Sequence, residues 1–189
     1  MQQEELLEFL HRVERMKSVP RHSVTADGVK ESVAAHSWRL SLMALLLREE
    51  FPTLDMDRVL RMCVIHDIGE AVTDDIPSFL KTEQNEETEL DAIGQLLLTL
   101  PARERTGLQA LFDEMEALKS PEARLYKALD KLEAVIQHNE SPLSSWIELE
   151  YTLNQTYGAE NAAEFPYLCR LREIEKQTTI DKIEREGHV

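Results

Sequence analysis

Apolar residues recur at the spacing of an α-helix along nearly the whole chain, and no run of four or more residues alternates cleanly as a half-buried strand would. Leu6, Leu10 and Val13 share one face of a first helix, which Pro20 stops. Residues 18–31 read as a loop carrying the turn pair Asp27-Gly28. Ser32 stands where it can cap a second helix over about 33–51, ended by Pro52. A third helix, over about 55–68, breaks at Gly69. Its apolar residues (Val59, Leu60, Met62, Cys63, Val64, Ile65) lie nearly all round, which predicts a buried central helix. An acidic loop from Glu70 to Pro77 follows. Three more helices are marked by Leu90, Ile93, Leu97 and Leu98, by Leu108, Leu111, Phe112 and Met115, and by Leu125, Leu129, Leu132 and Ile136 behind Pro121. Further helices are expected over about 143–157 and 161–185, with the polar stretch from Lys176 onward expected to fray. With only 6 Gly and 7 Pro, and with no repeat or linker, the chain reads as one all-α globular helical domain over 1–189.

Charge narrows the partners. Lys plus Arg is 21 and Asp plus Glu is 36, a formal charge of −15. Such a surface repels polymeric nucleic acid and anionic lipid. It leaves room for a small anionic substrate, because one metal ion reverses the potential of a pocket. Cys63 and Cys169 form no disulfide framework, which suggests a reducing compartment. The start Met1-Gln2-Gln3-Glu4-Glu5 lacks the basic character of a leader. The longest apolar runs, such as Leu42 to Leu47, fall far short of the roughly 20 residues of a membrane span. A soluble cytoplasmic protein is expected.

Function is sought where a polar residue interrupts an apolar stripe. His36 sits in the stripe of Val33, Leu40, Met43 and Leu47. His66 and Asp67 close the third helix. Asp130 is embedded in Leu129-Asp130-Lys131-Leu132. A buried carboxylate without a partner is destabilised by several kcal/mol, so such groups are paired, hydrogen-bonded or metal-bound. Imidazole and carboxylate together suit Mn, Co, Fe, Ni or Zn. Each residue alone has an ordinary structural reading, as a satisfied core histidine or a paired helix aspartate. The set is what points to a divalent cation. Cys63, in Cys-x-x-His with His66, reads as a small buried hydrophobe rather than half a zinc site. His11, His22, His138 and His188 read as surface or loop residues, and the run Glu83, Glu86, Glu87, Glu89, Asp91 as a solvated helix start.

Four segments, Glu31-Ser32-Val33-Ala34-Ala35-His36-Ser37, His66-Asp67-Ile68-Gly69-Glu70, Asp74-Asp75-Ile76-Pro77 and Lys127-Ala128-Leu129-Asp130-Lys131, resemble the HD-domain superfamily of metal-dependent phosphohydrolases. Within it they are most similar to the short 5′-deoxynucleotidase branch, over about residues 5–155. The resemblance implies an all-α, commonly dimeric enzyme that removes phosphate from deoxynucleoside monophosphates. It implies one divalent metal on His36, His66, Asp67 and Asp130. It makes Glu70 the residue that activates or orients water, Asp75 a substrate contact that assists the water, and Thr73 a neighbour of the substrate. Bacterial branch members carry Arg-Trp before the Pro of the first loop, where this chain has Ser18-Val19 before Pro20. Arg21, or Lys17 after it, is then the expected phosphate cation, and weaker discrimination of deoxyribose from ribose is expected.

Two other classes stay open at this stage. One is an HD phosphohydrolase of another nucleotide or phosphomonoester. The other is a non-catalytic helical regulator with a metal site, which would have no use for Glu70 and Asp75. A di-iron oxygenase would need more ligands, and no histidine occurs from Ile68 to Gln137.

Overall fold

A computed structural model describes residues 1–187. The helices are α1 (Gln3–Val13), α2 (Val33–Leu46), α3 (Met56–Ile65), the single turn α4 (Glu70–Thr73), α5 (Glu83–Leu97), α6 (Ala102–Ala117), α7 (Pro121–Glu140), α8 (Glu150–Thr156), α9 (Ala159–Ala163) and α10 (Pro166–Glu186). Local chemistry sets the boundaries. Ser32 Oγ accepts the Ala35 N–H at 3.2 Å to start α2, Asp55 caps α3, Thr82 caps α5, and Ser120 with Pro121 starts α7.

α7 is the central helix. It packs against α2, α3, α6, α9 and α10, and it buries Ala123, Leu125, Ala128, Leu129 and Leu132 against Val33 and Leu40 of α2 and Val59, Met62 and Cys63 of α3. Each large aliphatic side chain so buried contributes roughly 1.5–3 kcal/mol. This corrects the expectation for α3, which buries one face only. Val64 on its other side is 54% exposed. An apolar composition all round a short helix therefore did not make it central, because neighbours cover just one side.

Two further expectations are corrected. Residues 18–31 are not all loop. Pro20–Val24 (β1) and Lys30–Ser32 (β2) form an antiparallel hairpin, with Pro20 opposite Ser32 and Val24 opposite Lys30. Its turn holds Gly28 at φ +80°, a conformation that suits glycine. The strands are too short and too polar to show an alternating pattern. The hairpin is held by its turn and by α7, where Gln137 Nε2 donates to the Val24 carbonyl at 2.7 Å. The described chain beyond Lys176 is helical rather than frayed. α10 continues to Glu186, with Thr179 fully buried and donating to Asn139 Oδ1 at 2.8 Å.

Candidate metal centre and cavity

One flank of α7 is polar although the helix is central. Tyr126, Asp130, Glu133 and Gln137 follow one another at helical spacing on this flank. Against it stand His36 of α2 and the turn that ends α3 with His66 and Asp67. His36 Nε2 lies 3.2 Å from His66 Nε2 and 3.1 Å from Asp130 Oδ1, and His66 Nε2 lies 2.8 Å from Asp67 Oδ2 and 3.7 Å from Asp130 Oδ1. The four residues expected from sequence therefore converge from three segments of the chain.

Their far sides are committed. His36 Nδ1 meets the carboxylate of Glu133, and His66 Nδ1 donates to the Cys63 carbonyl at 3.1 Å. With Nδ1 protonated in each ring, both Nε2 lone pairs face one another and the two aspartates. Donors placed in this way, with no proton between them, can hold a divalent cation, and outer carboxylate and carbonyl partners of this kind are suited to orient the histidines of such a site. Cys63 itself is fully buried and contributes only its backbone oxygen.

Glu133 is the member that sequence reading missed. It is fully buried, yet burial is outweighed by His36, Arg21 and Arg39, which hold its carboxyl below the usual range. Arg39 Nε donates to it at 2.6 Å. A glutamate between Leu132 and Ala134, three residues after Asp130, was the available signal. Without a cation, His36 is held up at about 9, a second proton on Nε2 standing where a metal would: burial and Arg21 oppose its protonation, while Asp130 and Glu133 prevail.

Beyond the donor set opens a cavity of about 640 Å³, lined among others by Arg21, Glu70, Asp75, Lys127 and Tyr157. Glu70 starts α4, and its Oε2 is buried with no hydrogen-bond partner. Burial, then the charges of Asp67, Asp75 and Glu89, push Glu70 up to about 10. Burial followed by Asp67 also raises Asp75, against the opposing pull of Arg21. Gly69 permits this crowding, since a Cβ there would lie 2.9 Å from side-chain atoms of Glu89 and Ile93. Arg15 braces the turn from outside, with Nη1 donating to the Ala71 carbonyl at 3.0 Å and Nη2 pairing with Asp74. Arg21 of β1 lines the same cavity, 3.7 Å from Glu31, and its Nη1 lacks a hydrogen-bond partner. Lys127 donates to Asp130 Oδ2 at 2.9 Å.

Other expected residues lie elsewhere. Lys17 is exposed beside Glu14, outside the cavity. Thr73 faces a separate groove against α5, its hydroxyl donating to the Gly69 carbonyl at 3.4 Å. Val19 is buried in the core and Ser18 is exposed, so neither walls the cavity. Conversely, His22 and His138, read from sequence as surface residues, line the cavity, and Glu89 leaves the solvated run to pair with Lys81 at 2.5 Å. His188 lies outside the described residues.

A family model described as "HD domain" matches residues 13–166. The chain belongs to the HD domain family. Among its curated relatives, the human protein named 5′-deoxynucleotidase HDDC2 is 30% identical over 194 residues, covering 97% of this chain and 92% of that one. The fission-yeast 5′-deoxynucleotidase hdd1 is 27% identical and covers 70% of each chain. A crystal structure from Magnetospirillum magnetotacticum, described as a predicted metal-dependent phosphohydrolase, superposes with a TM-score of 0.79 at 26% identity, over 98% of this chain and 97% of that one. HD membership agrees with the all-helical fold, and the order His36, His66-Asp67, Asp130 along the chain supplies the donors that meet in space.

Proposed function

We propose that this HD protein is a divalent-metal-dependent phosphohydrolase of nucleoside and deoxynucleoside 5′-monophosphates, with His36, His66, Asp67 and Asp130 as the metal ligands. The observation that carries the reading is the pairing of two unsatisfied groups in one cavity. Arg21 Nη1 lacks an acceptor and Glu70 Oε2 lacks a donor, on walls that also hold the metal donor set. A phosphomonoester and an attacking water supply what these two groups lack.

The metal, when bound, lowers the pKa of water from about 15.7 toward 7 and offsets phosphoryl charge. The chain's own residues do the rest. Glu133 and the Cys63 carbonyl hold the two imidazoles with their Nε2 atoms toward the site. Arg21 binds phosphate oxygens, its guanidinium suited to two at once. With the charge of Asp67 balanced, Glu70 ionises and takes the proton of the attacking water, a contribution of about 10²–10⁴-fold. The water oxygen bonds to phosphorus, the bond from phosphorus to the 5′-oxygen breaks, and the proton ends on that oxygen. Asp75 contacts substrate and steadies the water. Lys127, bonded to Asp130, is a second cation for the phosphate, in the place expected of Lys17.

Mn, Co, Ni, Fe and Zn all suit two imidazoles and two carboxylates. The two free cysteines, and the absence among the described residues of a helix long and apolar enough to cross a membrane, support a cytoplasmic protein. The exposed Trp38, Leu45 and Leu46 on α2 support a homodimer. Phosphate release is to be measured over ribo- and deoxynucleoside 5′-monophosphates with each metal. Release from none of them, with metal bound, overturns the reading in favour of an HD phosphohydrolase of another nucleotide or phosphomonoester.

A further inference from the structure

At the other end of the cavity stands a second cluster that the proposed reaction does not use. His22 comes from β1, His138 from the last turn of α7, and Glu150 from the start of α8. His138 Nε2 lies 2.7 Å from Glu150 Oε1, and His22 Nε2 lies 3.0 Å from the same oxygen. The two rings stack, with centroids 6.3 Å apart and planes at 27°. Glu150 is 1% exposed, and all three residues line the cavity. His138 is eight residues beyond Asp130, about 12 Å along the helix at 1.5 Å per residue.

The far side of this cluster is also committed. His138 Nδ1 donates to the Ala134 carbonyl at 2.9 Å, and Glu150 Oε2 accepts the Ile147 N–H at 2.8 Å. With Nδ1 protonated, a neutral His138 turns its Nε2 lone pair onto a carboxylate oxygen. Lone pair against carboxylate is repulsive unless a cation or a second proton lies between. An independent sign of a missing ligand is Asn154, one turn along α8. It is 4% exposed, lines the same cavity, and its Nδ2 has no acceptor.

We propose that His22 Nε2, His138 Nε2 and Glu150 Oε1 form a second divalent-metal site, of the Zn, Co or Ni class. Two imidazoles and one carboxylate are a three-ligand set that leaves coordination positions free, and the cavity gives water access to them. Asn154 Nδ2 donates to the water held there. The inference is independent of the phosphohydrolase reading, because it concerns metal binding alone.

The test compares Co²⁺ content after equilibrium dialysis, by elemental analysis, in three folded proteins: wild type, the double variant His22→Ala/His138→Gln, and His66→Ala. The double variant is expected to bind about one Co²⁺ fewer per chain than wild type, and His66→Ala to retain the equivalent that the double variant loses. Equal content in wild type and the double variant overturns the site. Imidazole ¹⁵N resonances of the otherwise wild-type His66→Ala protein, followed during Zn²⁺ addition, give a measurement that does not depend on the double variant folding. Shifts of the His22 and His138 Nε2 signals support the site. Unmoved signals mean that an imidazolium–carboxylate pair occupies the place, and overturn it.

Discussion

Two histidine–carboxylate clusters stand along α7 roughly two turns apart, and they are built differently. The first draws on α2, the end of α3 and the middle of α7, elements whose apolar faces pack together into the core. Its histidines are almost completely buried, and four donors converge. The second draws on a hairpin strand, the last turn of α7 and a short helix. Its histidines are more open, with His22 28% exposed, and it offers three donors. His36 and His66 of the first and His138 of the second commit Nδ1 on the far side and leave Nε2 toward the cavity. The lesson is that ligand orientation is set by the same local device in both places, while donor number and burial follow from how central the supporting elements are.

The largest expected effect sharpens that contrast at the first cluster. His66→Ala removes a donor and leaves Asp67 and Asp130 facing each other, and phosphate release should fall by about 10³-fold or more. Tightly bound metal at the first cluster should disappear with it. Turnover within tenfold of wild type would place the chemistry elsewhere in the cavity. Next comes Glu70→Gln, expected to keep metal and fold while lowering turnover by about 10²-fold. Near-normal turnover would leave Asp75 as the base.

Arg21→Ala should lower kcat/KM by roughly 10–100-fold, the range for losing a hydrogen bond to a charged group, with partial recovery in Arg21→Lys. An unchanged value would assign the phosphate to Lys127. A smaller effect appears in metal-free protein. Glu70 titrates in the native state at about 10 and in the unfolded state near the ordinary glutamate value. Between those pH values the unfolded chain binds fewer protons than the native one, so stability falls as pH rises across that window. Glu70→Gln removes this slope, and its melting temperature at pH 9 should exceed that of metal-free wild type by roughly 3 °C or more. Identical pH dependence in the two proteins would mean that Glu70 is already ionised near neutrality.

The smallest effect concerns the sugar. Matched ribo and deoxy substrates are expected to differ little in turnover, since Ser18 and Val19 put no bulk into the cavity. Strict selectivity for deoxyribose would assign the discrimination to another wall, such as Tyr157 or Phe79.

The first cluster was legible in the sequence and the second was not, for one reason. His36, His66, Asp67 and Asp130 interrupt apolar stripes, and a stripe tells which way a helical side chain points before any packing is known. His138 follows Gln137 and precedes Asn139 near a helix end, and His22 lies in a segment with no pattern. Their direction depended on the hairpin closing onto α7 and on α8 folding back. Arg21 was legible as a cation and already preferred to Lys17; what the fold added is strand β1, which brings Arg21 to the cavity while Lys17 stays on the surface.

By itself the sequence determined the helical class, the helix cap at Ser32, the helix start at Pro121, and the four donors of the first cluster. Periodicity, capping chemistry and buried charge are all written within a few turns of chain. Tertiary structure alone decided that α7 and not α3 is central, that Glu133 anchors His36, and that a hairpin brings Arg21 and His22 to the cavity. These outcomes depend on which surfaces meet across about 100 residues of chain, and contacts that distant leave no local period to read.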